Sequence, residues 1–278
     1  VISGGALHDW SAPPFYFITF MQTILLSAAF AVLIFGGLLA CLRFGWAIGR
    51  RRFQQAGEDA HSGLGALDGA VFGLMGLLIA FTFTGAASRF HDRRDLITEQ
   101  VNAIGTAWLR LDLLPDAERE RARDGFRRYV DTQLEIVRNV GDEDAVRSGL
   151  ARLSVIQQEI WDILIAAAKS DKSTPIAQVV LPPANEMFDL STSRLMAARQ
   201  HPPLAVYIML GLLVLLSGLL AGFGMAKSDR QSPLHLFGFA AVMAFSVYLI
   251  LDIEFPRLGL VRIDSFDEAY RDLRASMD

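Results

Sequence analysis

The sequence predicts an all-α integral membrane protein: four transmembrane helices in two hairpins, an inserted soluble helical domain, and a long helix continuing from the second span. Three observations predict it. The 278 residues are 52% hydrophobic, with a mean hydropathy of +0.34, more apolar than a soluble domain of this size averages. The apolar residues gather in uncharged blocks: none of Asp, Glu, Lys or Arg lies between Asp9 and Arg43, or within residues 69–88, 200–226 and 231–251. No strand alternation competes. About 20 helical residues cross a hydrocarbon core. A lipid-exposed backbone must satisfy its own hydrogen bonds, so such blocks are read as helices.

Taken in order, residues 1–14 form an irregular lead-in with Trp10 and Tyr16 as interfacial aromatics. Span one covers about 15–44, and the Arg50-Arg51-Arg52 run after it reads as a retention flank rather than the end of a cleaved leader. Residues 50–64 make a polar turn. Span two covers about 64–88 and continues as an amphipathic stalk, because no proline interrupts it and Ile97, Val101, Ile104, Trp108 and Leu111 recur at helical spacing up to Pro115.

Asp116 is expected to cap the next helix, which carries Phe126, Tyr129, Val130, Gln133 and Val137 on one face and breaks at Gly141. A helix over 143–168 places Val146, Leu150, Leu153, Ile160 and Leu164 on a stripe. Residues 170–175 read as a loop, and a segment over 176–200 is interrupted by Pro182-Pro183. Spans three (203–226) and four (233–253) are joined by a tight polar turn, and a tail helix runs over 266–277. Three regions follow: an N-terminal hairpin (1–88), an extramembrane helical domain (89–201), and a C-terminal hairpin with its tail (202–278).

Chemistry is sparsely signalled. The single cysteine, Cys41, can form no internal disulfide, and the five histidines show no metal-ligand spacing, so no metal, cofactor or catalytic residue is expected. A net charge of −4 gives no reason to expect nucleic acid. The acids Asp116, Glu118 and Glu120 sit among arginines as solvated pairs. An embedded enzyme has only Asp68, Asp252 and Glu254 to recommend it, and all three are expected to be solvated at the membrane boundary.

Span two is the informative segment. Gly65, Gly69 and Gly73 recur every fourth residue, and the stripe continues through Leu77, Phe81 and Gly85. One reading is a small-residue groove for helix packing, to which Gly218 and Gly222 of span three also belong. The other is a pore face in an oligomer, with Gly73, Leu77 and Phe81 lining an apolar constriction that gates by dewetting. Thr84, Ser88 and Arg89 would stand at its exit. Arg89, Arg93 and Arg94 either ring that exit and favour anions or pair with Asp92 and Asp95 on the stalk. Asn185, Glu186, Asp189 and Arg194 form a polar cluster able to dock on the stalk.

Leu78-Ile79-Ala80-Phe81-Thr82-Phe83, then Ser88 to Arg94, Val101-Asn102-Ala103-Ile104 and Asp252 to Gly259 together resemble bestrophins. Nearly the whole chain is similar to the bacterial bestrophin-like membrane proteins, through Ala103 to Ala107, Asn185 to Asp189 and His201-Pro202-Pro203. The resemblance implies a four-span subunit, a homo-oligomer (a pentamer in bestrophins), passive anion conduction through a neck on the second span, and residence in a bacterial inner membrane among lipids. Gly73 stands where that neck is bulky, and Phe90-His91 where tryptophans are the family's pattern. The alternative is a non-conducting scaffold, or a subunit of a larger membrane complex, that binds a partner protein through its helical domain. Loop charge puts the helical domain outside the cytoplasm, because the turns after spans one and three carry Arg50 to Arg52, Lys227 and Arg230.

Overall fold

The structure is a computed structural model describing residues 20–56, 64–140, 142–170, 175–227, 233–255, 261 and 264–278. The lead-in with Trp10 and Tyr16, residues 57–63 and 228–232 of the turns between spans, Gly141 and the Pro256-Arg257 pair lie outside them; residues 50–56, expected in the first turn, are helical instead, continuing the first span. Among the described residues there is no strand. The helices are α1 (Phe20–Ala56), α2 (Leu64–Arg110), α3 (Asp116–Arg138), α4 (Glu143–Ser170), α5 (Pro175–Val179), α6 (Leu181–Arg199), α7 (Leu204–Gly224), α8 (Pro233–Glu254) and α9 (Asp264–Ala275). Stretches of α1, α2, α7 and α8 are long and apolar enough to cross a membrane.

α2 is one uninterrupted helix of 47 residues, about 70 Å at 1.5 Å per residue. That is more than twice the hydrocarbon thickness, so span and stalk are a single rod. A 3-10 turn over Leu111–Leu113 and extended Leu114 bring it to Pro115. Asp116 does not cap α3. Pro115 occupies the cap position, and Asp116 is the first helical residue, where its carboxylate suits the helix dipole and accepts from Arg119 at 2.6 Å. The 176–200 segment is interrupted as expected, but at Val180, between α5 and α6, and Pro182 and Pro183 fall just after that break. They stand in the first turn of α6, where the missing N–H has no intrahelical partner to lose.

The spans interleave. α1 packs chiefly on α7 and then on α8, while α2 packs on α8 and α7. Glycines set the closeness of the α1–α7 seam. A Cβ on Gly222 would stand 2.1 Å from the Leu42 carbonyl oxygen, and one on Gly45 2.0 Å from that of Leu219. Gly218 is nearly as close to the Leu38 side chain, at 2.7 Å. Two backbones meet here as in small-residue packing of membrane helices.

The second core belongs to the helical module. Ile97, Ile104 and Leu111 of the stalk meet Phe126, Tyr129 and Val130 of α3, Ile160 and Leu164 of α4, and Met187 of α6. α9 joins that core: Tyr270 and Met277 are 1% exposed, and the helix packs on α2 and α3. The C-terminal helix therefore returns from the last span to the stalk.

Candidate functional site: the open face of α2 and the buried knot beside it

Among the described residues, one side of α2 is covered by the rest of the chain and the other is open. Within its most apolar stretch 11% of residues are buried, against 39% in α8. Leu77 is 51% and Phe81 66% exposed, and a Cβ at Gly65, Gly69, Gly73 or Gly76 would meet nothing within 4 Å. Thr84 and Ser88 are exposed on the same side. Met75 and Ala86, by contrast, point into the core formed with α1, α7 and α8. Among the described residues, the four-residue glycine spacing in α2 thus meets no other helix, whereas Gly218 and Gly222 lie against α1. Gly45 and Gly49, the other half of that seam, were not singled out from the sequence. Their own four-residue spacing was the available signal.

Arg89 is turned off the open face. Its Nε donates to both carboxylate oxygens of Glu254, at 3.1 and 3.0 Å, and its Nη2 donates to Oε2 at 2.6 Å. Arg93 is 9% exposed and donates to three backbone carbonyls: Glu254 at 2.7 Å, Gln200 at 2.9 Å and Ala197 at 3.1 Å. It also reaches Glu254 Oε1 at 3.4 Å. His201 Nδ1 lies 2.9 Å from the same oxygen, with its ring stacked on Phe255 at 4.7 Å. Glu254 itself is fully buried. One carboxylate thus gathers the stalk, the end of α8 and the link from α6 to α7.

Two sequence expectations are corrected here. Arg89 and Arg93 pair with Glu254, 165 and 161 residues away, rather than with Asp92 or Asp95. Asp252 and Glu254 are not solvated: Asp252 is 3% exposed and accepts from the Val261 backbone N–H at 2.8 Å and from Tyr248 at 3.3 Å. A buried carboxylate persists only with such partners, and sequence separation hides them. Asp68 is half-buried and His235 exposed. Among the described residues, no group of three or more His, Cys, Asp or Glu is placed to hold a metal ion.

The polar cluster on α6 divides. Asn185 donates to Asp189 within the helix at 2.7 Å. Arg194 docks on the stalk, donating to Gln100 Oε1 at 2.6 Å and to the Tyr270 hydroxyl, with its guanidinium 5.1 Å from that ring. Tyr270 donates to the same Gln100 oxygen at 2.6 Å, and Gln100 donates onward to Tyr129 at 2.9 Å. Four helices share one buried hydrogen-bonded chain.

A family model described as Bestrophin-like domain matches residues 36–265, from the middle of α1 into α9. Neither the curated proteins nor the solved structures yield a match.

Proposed function

Since this chain belongs to the bestrophin-like family of membrane proteins, we propose that several copies assemble into a passive ion-conducting pore, with the α2 face of Gly73, Leu77 and Phe81 as its neck. The observation that carries this reading is the uncovered side of α2. A packing groove within the subunit would bury that side against α1 or α7, and instead Leu77 and Phe81 are more than half exposed. Small residues at Gly65, Gly69 and Gly73 let several rods approach one axis, and the two large side chains make an apolar constriction that passes ions when it wets. No chemical step is involved. Family resemblance implies anions as the cargo and a bacterial inner membrane as the setting, with the helical module outside the cytoplasm by loop charge.

A second reading is a non-conducting scaffold. It is favoured by Leu109 and Leu113 at the far end of the stalk, 71% and 54% exposed on a module outside the apolar spans. The two separate on one preparation. Copy number of the detergent-purified chain, followed by ion flux from liposomes, gives a ring and a leak for the pore. A single copy and tight liposomes would leave the scaffold.

A further inference from the structure

The first span outruns the membrane. α1 has 37 residues, about 55 Å at 1.5 Å per residue, against a hydrocarbon core of about 30 Å. Its uncharged stretch closes at Arg43, and the turns beyond carry Arg50, Arg51 and Arg52, with no Asp or Glu anywhere along the helix. Phe237, in the first turns of α8, meets Phe35 with ring centroids 6.3 Å apart, so α1 runs on past the start of α8. In this overhang Arg43, Trp46 and Arg50 stand at i, i+3 and i+7, on one side of the helix. The Arg50 guanidinium lies over the Trp46 ring at 5.0 Å, while Arg43, Arg51 and Arg52 are exposed. The indole N–H of Trp46 is covered from solvent and meets no acceptor among the described residues. A donor shut away from water in this way marks a place for an acceptor, and the guanidiniums on either side of it favour an anionic one.

We propose that Arg43, Trp46 and Arg50 form a binding site for the phosphate group of an anionic phospholipid. The planar fork of arginine takes two phosphate oxygens at once, and the indole N–H is left for a third. The Trp46 ring keeps its apolar body toward the acyl chains and its polar tip toward the headgroups, the usual place of tryptophan at a membrane surface. Rotation of the long Arg50 side chain, which lies over the ring, admits the oxygen. A zwitterionic headgroup brings its own cation beside the phosphate and gains little from arginines. An anionic headgroup gains from Arg43 and Arg50 by contact and from the exposed Arg51 and Arg52 through their field. This inference stands apart from the pore reading, since a non-conducting scaffold would hold the same lipid.

The test titrates the full chain, purified in a neutral detergent, with phosphatidylglycerol, with phosphatidylcholine of the same acyl chains, and with inorganic phosphate. Native mass spectrometry counts the lipid retained, and thermal melting reads its effect, because a ligand of the folded state raises Tm with its concentration. Phosphatidylglycerol is expected to bind at least about tenfold more tightly than phosphatidylcholine, and inorganic phosphate to leave Tm unchanged. Arg43→Gln combined with Arg50→Gln is expected to weaken phosphatidylglycerol binding by about tenfold or more. Trp46→Phe keeps the ring and removes the donor. It is expected to melt at or above the wild-type temperature without lipid, and to gain less from phosphatidylglycerol. Equal binding of the two lipids, an equal gain from inorganic phosphate, or a double variant with wild-type affinity overturns the proposal. So does a Trp46→Phe protein that melts lower without lipid and keeps the full gain, which is the signature of a merely structural tryptophan.

Discussion

Arg93 donates to the backbone carbonyl of Glu254 at 2.7 Å while the carboxylate of the same residue binds Arg89 at 2.6 Å, so one residue anchors the stalk through both its main chain and its side chain. Removing Glu254 leaves the buried Arg93 guanidinium without its counter-charge. Glu254→Ala is expected to destabilise the fold by about 3–5 kcal/mol. Arg93→Lys keeps the charge but loses the planar fork that reaches the Ala197, Gln200 and Glu254 carbonyls together, at a cost of roughly 1.5–3 kcal/mol. Thermal unfolding in detergent measures both. A Lys variant as stable as wild type would show the fork to be dispensable.

The α1–α7 seam and the open side of α2 respond oppositely to one methyl group. Gly222→Ala drives a Cβ against the Leu42 carbonyl, where backbone must move. It is expected to cost about 1–3 kcal/mol. Gly76→Ala meets open space within the subunit and is expected to leave subunit stability unchanged or raise it slightly through helix propensity. Paired melting curves decide, and equal losses at the two sites would contradict this geometry.

The Gln100–Tyr270 hydrogen bond, at 2.6 Å, ties the C-terminal helix to the stalk. Tyr270→Phe removes a buried donor and strands the Gln100 oxygen on Arg194 alone, an expected loss of about 1–3 kcal/mol. Hydrogen exchange would locate it: α9 and the facing part of α2 should lose protection, while the α1–α7 seam keeps it.

Flux through the neck should follow side-chain bulk. Phe81→Ala widens the most exposed large residue of the face and is expected to raise ion flux several-fold; Leu77→Ala acts in the same direction and Gly73→Leu oppositely. The liposome assay ranks them. Identical rates across the three would remove this face from the pathway.

Much of the molecule was legible in the residues themselves. Four uncharged blocks fix four membrane helices, because length and the cost of unpaired backbone in lipid leave no other form. The absence of proline between Leu64 and Leu114 and the stripe from Ile97 to Leu111 declare a span that runs on into a stalk. These are local properties, written in consecutive residues. Only the tertiary structure decided which side of α2 stays open, that α1 seats its glycines on α7, that α9 returns to the stalk, and that Glu254 takes Arg89 and Arg93 from across the chain. The physical reason is that burial and charge pairing depend on partners brought together by folding: a four-residue glycine spacing reads the same at Gly45 and at Gly69, and an arginine beside a membrane reads the same whether it faces an ion or a buried carboxylate.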